Sequence, residues 1–553
     1  MAKMKKEEVE RLIQTNAQLR TYLEEIEQKM SRPEFYAALP QELKNEKYPN
    51  VLYPTKGPVF IHLVRTKEME AIEYRVIEPL LNEIEQKKLD EIKKIIVRRV
   101  AQKKSVIHDA DLREILKELL EEILKVDKNA NKRAKPKEGR FSKNKVLDTV
   151  YVTPDEKIGL EYNILKSIIG AGPLECFMRD PYLEDIHFIP GDKIHLIHKI
   201  YDMIKTNIEI APEQAGVIAR DISEKMGTPV SEGHPIADGT LPDGSRGNII
   251  YSDAISVKGP SMTIRRFTET PISITQLIKW GTVGSGVAAY LWICLQYGRS
   301  LFICGETACG KTTTMNAIIP FIKQNHKIFT AESTPELQVP HDVWQRLLTK
   351  TTGPKEGQVD LFDLLKSALR SRPDYIIPGE VRGPEGSIVF QAMQTGHPCI
   401  STFHAGTVTK VIQRFTGDPI NVPKTFMDNL DIVIIQMAVE QKGKKLRRIL
   451  NLDEIEGYNR EVDGIMARTA FTWDPVEDRH VFKANRNSFV LEQKIAKNAG
   501  YADTAEIYDE YDKRKLILER LVEEEIFDYY EVTQCIWGYY RAGLKGLPVK
   551  INM

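Results

Sequence analysis

Residues Ser300–Thr314 read "SLFICGETACGKTTT". An apolar run from Leu301 to Cys304 feeds the spacing G-x-x-x-x-G-K-[ST], supplied by Gly305, Gly310, Lys311 and Thr312, and the helix-forming "TMNAIIPFI" follows. That is the order strand, phosphate-cradling loop, helix. Glycines let backbone N–H groups close around phosphates, the helix N-terminus adds its positive end, Lys311 bridges the outer phosphates, and the Thr312 hydroxyl is suited to ligate Mg²⁺. Gly305, Glu306, Thr307, Ala308, Cys309, Gly310, Lys311, Thr312 and Thr313 are therefore the candidate nucleotide-binding residues. ATP and Mg²⁺ are the cofactors implied.

A nucleotide site also needs an acid. In "RSRPDYIIPGEVRG" the residues Tyr375 to Pro378 read as a short buried strand with Glu380 at its C-terminal edge, where ligands gather in an open α/β sheet. Glu380 is placed to orient or deprotonate an attacking water; the plainer reading is an exposed loop carboxylate. In "IFTAESTPEL" another strand ends near Glu332 and Glu336, which would hold Mg²⁺ through water or polarise the nucleophile, unless they are structural. The stretch "QTGHPCISTFHAGT" brings His397, Cys399 and His404 within eight positions. A metal site, acid–base chemistry and a quieter role all stay open on these residues, although zinc normally takes four N or S donors and no second His/Cys cluster lies nearby.

The wider chain sets limits. At 553 residues it is too long for one ordinary core and is expected to hold two or three domains. Its 78 basic and 78 acidic side chains balance, which gives no electrostatic reason to coat nucleic acid. The six cysteines are dispersed with no CxxC pair, and no signal-like leader is seen, so a reducing cytoplasm is expected. No apolar run approaches the roughly 18 to 20 residues that cross a bilayer, so any membrane role is expected to pass through a partner.

Four segments follow from the pattern. Residues 1–126 form a charged, helical N-terminal region. Its first 30 positions carry heptads, with Val9, Asn16, Leu23 and Met30 in one row and Leu12, Leu19 and Ile26 in the other. These predict a short coiled coil or helix that docks on a partner; the alternative is an amphipathic helix folded onto its own domain. Residues 127–145 read as a basic, mobile linker. Residues 146–270 read as a small α/β domain with hairpins, "EDIHFIP" to "GDKIHLIH" and "LPDGSRGNIIYSD" to "SMTIRRF". Residues 271–553 form the phosphate-loop domain with parallel sheet and terminal helices.

With three strand ends in hand, a resemblance becomes specific. From about Asp180 to Val422 the chain resembles the type II/type IV secretion ATPase superfamily of ring-forming motors, which carry a phosphate loop, an acidic box, a Walker B box and a histidine box in this order. Here these are Gly305 to Thr312, Glu332 to Glu336, Tyr375 to Glu380, and Thr395 to His404. The resemblance implies a RecA-like ATPase domain, histidines that line the nucleotide pocket instead of binding metal, and arginine fingers at Arg246 in "GSRG" and at Arg265 or Arg266 in "TIRRF". The plainer reading of these arginines is a surface salt bridge.

There are departures. Ser333 follows Glu332 where the superfamily usually has Asp, Gly379 precedes Glu380 as is usual there, and Cys309 stands where a small serine is common, a thiol open to modification from the ligand side. The four-cysteine zinc module of many bacterial members is missing. "GETA", "LPDGSRGNII", "TIRRF" and "RFTGDPINVP" resemble archaeal members, above all archaellum motor ATPases. That likeness implies a homo-hexamer that assembles and helps to rotate a surface filament, peripheral at the cytoplasmic face of the membrane, docked on a polytopic membrane platform and a cytosolic recA-like accessory protein. Archaeal pilus assembly or type II secretion is the alternative. A nucleic-acid translocase is disfavoured by the balanced charge and the lack of an aromatic, basic strand-tracking stretch, and a solitary kinase would leave the histidine box without a role.

Overall fold

The computed structural model describes residues 3–548 apart from 41–42, 45, 103–108, 128–129, 131–148, 253, 268–269, 351–353 and 442–443. The chain forms two compact units, Met1–Phe267 and Thr268–Met553. Most of the segment expected as a basic linker, 127–145, lies outside the described residues.

The first unit is organised by a ten-stranded sheet. Four strands come from the tract whose composition reads as helical: Glu34–Phe35, Asn50–Pro54, Phe60–Val64 and Glu73–Ile77. The last of these pairs in parallel with Asp202–Glu209, so that Tyr74 faces Thr206, and the sheet continues through Lys193–His198, Leu183–Phe188, Ser261–Arg265, Arg246–Ile250 and Ile236–Thr240. Both expected hairpin pairs are present and antiparallel, with His187 opposite His195 and Asn248 opposite Thr263. Every residue of Phe60–Val64 is buried. The expected helices flank these strands. Glu83–Gln102, Asp109–Ile123 and Pro154–Ile168 enclose a separate apolar cluster that includes Ile92, Ile95, Leu120, Ile123, Leu160 and Ile164. Thr153 caps the last helix through a reciprocal box with Glu156.

The N-terminal heptads correct an expectation. Instead of one docking helix there are two, Lys6–Thr15 and Ala17–Ile26, separated at Asn16, whose backbone is extended (φ −128°, ψ 98°). Asn16 Nδ2 donates to the Leu12 carbonyl at 2.9 Å and so closes the first helix. The apolar seam is real, but Leu19, Leu23 and Ile26 are buried with Phe35, Leu52, Phe60 and Ile77 of the same unit. The seam packs on its own sheet, because that sheet offers an apolar face a few residues downstream.

The second unit has the α/β architecture expected, with a RecA-like core. Its parallel strands run Trp344–Leu348, Ile328–Glu332, Tyr375–Pro378, then across the Ile376–Cys399 bridge to Ile400–Phe403, Leu301–Cys304 and Ile432–Gln441. Three antiparallel strands extend the sheet beyond the parallel core: Lys444–Asn459, Gly464–Asp474 and Arg479–Phe482. The core strands are buried on both faces and read as continuous apolar runs. Alternate side chains serve opposite layers. Ile303, Ile377 and Ile434 pack toward the buried helix Ser285–Gln296 and the C-terminal helices Ile507–Glu523 and Tyr529–Ala542. Phe302, Ile376 and Val433 pack toward Leu361–Ser371, Glu385–Gln394 and Val408–Thr416. All the parallel strands therefore present their C-terminal ends on one edge. No helix among the described residues is long and apolar enough to cross a membrane.

Candidate active site

The phosphate loop leaves the Leu301–Cys304 strand and enters the helix Lys311–Ile318. Two residues adopt left-handed backbone, Ala308 (φ 61°) and Gly310 (φ 93°). Such a run makes successive N–H groups converge, the arrangement of an anion-binding nest. Gly305 has no alternative here: a Cβ would stand 2.0 Å from the Gln436 carbonyl oxygen. Lys311 is only 8% exposed, and its ammonium donates to the carbonyls of Gly305 (3.2 Å) and Glu306 (2.8 Å). A buried ammonium whose hydrogen-bond partners among the described residues are neutral carbonyls fits a phosphate group, whose charge would match it. Glu306, Thr307 and Ala308 are exposed, while Thr312 and Thr313 are half-buried in the first helical turn, where a hydroxyl suits an Mg²⁺ ligand. Cys309 corrects an expectation: it is fully buried, and burial pushes its thiol pKa up, so it is a packed side chain and not an accessible thiolate.

Glu380 lies just past Tyr375–Pro378 and pairs with the end of the neighbouring strand, opposite Thr402. Its Oε2 receives Arg382 at 2.5 Å, and its Oε1 is 2.7 Å from His404 Nε2. Burial first, and then the charge of Lys311, lower the His404 pKa. His404 is thus neutral at neutral pH and meets Glu380 as a close polar contact, and the influence of Lys311 on it puts the phosphate loop, Glu380 and the histidine in one electrostatic neighbourhood. Arg414 donates to the His404 carbonyl and lies over the Phe403 ring, which fixes the turn that carries the histidine.

Glu332 ends its strand and is 2% exposed. Its Oε1 accepts from the N–H groups of Glu336 and Leu337, both at 2.8 Å, and Arg346 stands 3.9 Å from its Oε2. Burial outweighs these contacts and pushes its pKa up to about 7. Gly379 lets it come this close to the Walker B strand, since a Cβ there would meet Glu332 Cγ at 3.1 Å. Glu336 is exposed and meets Glu332 through its backbone, so the two acids of this box differ sharply in environment.

His397 is not brought into this group. It precedes the strand Ile400–Phe403, whereas His404 follows it, and the strand is parallel to the one that leads into the phosphate loop. The two histidines therefore mark opposite edges of the sheet, roughly 13 Å apart for four residues of strand. His397 instead contacts Thr395 Oγ1 at 3.2 Å and lines a depression with Tyr297, His326 and Arg372. In the first unit, Arg246 pairs with Asp238 (2.9 Å), Arg265 pairs with Asp185 (3.1 Å), and Arg266 donates to the Met178 carbonyl (2.7 Å).

Sequence reasoning missed Gln436, Arg447, Arg346 and Arg382. Only Arg382 carried a local signal, two positions after Glu380. The others reach the site through strand pairing.

Comparison with known proteins adds an independent line. Residues 176–525 match the family model described as type II/IV secretion system protein. An uncharacterised protein of Methanocaldococcus jannaschii is 50% identical over 99% of both chains. The type IV secretion system protein VirB11 of Bartonella quintana is 23% identical over 57% of this chain and 94% of its own. Among solved structures, the Legionella pneumophila ATPase DotB aligns with 19% identity over 55% of this chain and 83% of that one, at a TM-score of 0.37.

Proposed function

Because this chain belongs to the type II/IV secretion system protein family, we propose that it is a ring-forming ATPase whose hydrolysis of ATP drives assembly and rotation of a surface filament of the archaellum type. The observation that carries the ATPase reading is the gathering of Lys311, Glu332, Glu380 and His404 around the C-terminal ends of neighbouring parallel strands. In this reading Lys311 binds the outer phosphates, Glu380 orients the attacking water or takes its proton, and neutral His404 holds the Glu380 carboxylate in place. Mg²⁺, held by Thr312 and waters, would supply charge neutralisation at the phosphate oxygens. Glu332, poised near neutrality, tunes the charge beside the Walker B strand.

The filament reading adds a homo-hexamer, peripheral at the cytoplasmic face of the membrane, with a polytopic membrane platform and a recA-like accessory protein as partners. The words "GETA", "TIRRF" and "RFTGDPINVP" support the archaellum over pilus assembly or type II secretion. Two measurements test it. Size analysis with and without a non-hydrolysable nucleotide is expected to show a nucleotide-promoted hexamer, and a persistent monomer would refute the ring. Deleting the gene is expected to remove archaella and swimming while sparing pili and secretion; loss of pili alone would select the alternative. ATPase activity unchanged by added DNA is expected, and marked stimulation would favour a translocase.

A further inference from the structure

The phosphate loop is gripped from outside by two side chains that belong to none of its motifs. Gln436 stands on the strand Ile432–Gln441, immediately after an irregularity in register at Ile435/Gln436, and is 1% exposed. Its Nε2 donates to the Cys309 carbonyl at 2.8 Å, and its Oε1 accepts from Thr314 Oγ1 at 2.8 Å. On the next, antiparallel strand, Arg447 lies opposite Ala438 and donates Nε–H to the Ala308 carbonyl at 3.2 Å. In a trans peptide the carbonyl of one residue and the N–H of the next point in opposite directions. Drawing the Ala308 and Cys309 carbonyls toward the hairpin therefore turns the N–H groups of Cys309 and Gly310 away from it. These two peptide units flank the left-handed positions of the nest, and Ala308, which has a Cβ, must be held there against an intrinsic cost.

We propose that Gln436 and Arg447 are positioning residues of the nucleotide site, holding two successive peptide units of the phosphate loop in the orientation that receives an anion. The proposal rests on the reading of this loop as an ATP site. It gives the antiparallel extension of the sheet a task beyond packing: the extension carries the outer half of the loop's scaffold.

The test uses the full chain with Gln436→Met, Arg447→Met, Arg447→Lys and Thr314→Val, followed by steady-state ATP hydrolysis and binding of a fluorescent ATP analogue. Each Met variant is expected to raise KM and the analogue's Kd by about tenfold, as loss of one useful hydrogen bond implies, with kcat falling by less. Arg447→Lys keeps a donor for Ala308 and is expected to recover most of the loss. Thr314→Val removes the other anchor of Gln436 but leaves its bond to Cys309, so it should raise KM by less than Gln436→Met. An unchanged KM in both Met variants, or a fall in kcat alone, overturns the proposal provided that the wild-type chain hydrolyses ATP. A wild-type chain that neither binds nor hydrolyses ATP overturns the reading of the site instead. Should Gln436→Met fail to fold, Arg447→Met at its exposed position carries the test alone.

Discussion

Glu380 Oε1 and His404 Nε2 stand 2.7 Å apart, which joins the first residue of the short strand Glu380–Val381 to the residue just past the neighbouring parallel strand Ile400–Phe403. In the ATPase reading proposed above, Lys311 supplies the phosphate-binding charge and Glu380 the carboxylate that activates water. Lys311→Ala is expected to abolish nucleotide binding. Glu380→Gln keeps shape and binding and loses the carboxylate, so it is expected to hold ATP without turnover. Nucleotide titration and a turnover assay on both variants decide this, and equal loss of binding in the two would remove Glu380 from its role.

The buried Glu332 makes stability depend on pH. Its folded pKa, about 7, lies above the ordinary carboxyl value of 4.5. A group raised in this way binds its proton more tightly when folded, so its contribution is fully present below pH 4.5 and is lost as pH rises through 7. The span corresponds to about 3 kcal/mol as an upper bound. Glu332→Gln is expected to flatten the fall in melting temperature of the wild type between pH 5 and 7.5, and to be the more stable form at pH 8. An identical pH slope in both proteins would show that Glu332 is charged throughout.

The arginines of the first unit separate two explanations cleanly. Arg246 and Arg265 each hold an aspartate on a partly exposed surface, where such pairs contribute about 0 to 1 kcal/mol. If either is a finger, its replacement by Ala is expected to lower turnover by about 10³ to 10⁵ while binding stays near intact. Asp238→Ala and Asp185→Ala then have little effect on turnover. Matching losses from arginine and aspartate variants, seen in the same turnover assay, would mean that the pairs are structural.

What was legible in the sequence is what acts locally. The phosphate loop, the Walker B strand and His404 are short words whose chemistry depends on neighbours a few residues away, and the alternating apolar runs around "EDIHFIP" and "GDKIHLIH" fix a hairpin by themselves. Gln436 and Arg447 were illegible because they reach the loop through register, from strands more than 120 residues downstream. His397 looked like a partner of His404 because seven positions are close along a chain, yet a strand lies between them and carries them to opposite edges. The strands Asn50–Pro54 and Phe60–Val64 were hidden by the charge of the tract around them, although "VFIHLV" has strong strand propensity. At Asn16 the period was right and the continuity wrong. A polar residue in an apolar seam reads as a register device, and here it ends one helix and starts another.

The same segment yields the last prediction. A docking helix would keep its apolar seam available to a partner, and its removal would leave the rest of the protein intact. Here Leu23 and Ile26 are buried against Phe35, Leu52, Phe60 and Ile77, and Tyr22 adds a 2.6 Å hydrogen bond to the ring of the buried His62. Removing the first 30 residues would expose that sheet face to water, at about 25 cal/mol for each Å² of apolar surface. The truncated chain is therefore expected to melt at a lower temperature and to aggregate more readily. Leu23→Ala, a gentler change, is expected to cost about 2 to 5 kcal/mol through the cavity it leaves. Melting curves of both variants, with ATP turnover measured below the transition, check this. Unaltered melting of the truncated chain combined with lost motility would return the heptads to a partner; a lowered melting temperature in both variants assigns them to the fold of the first unit.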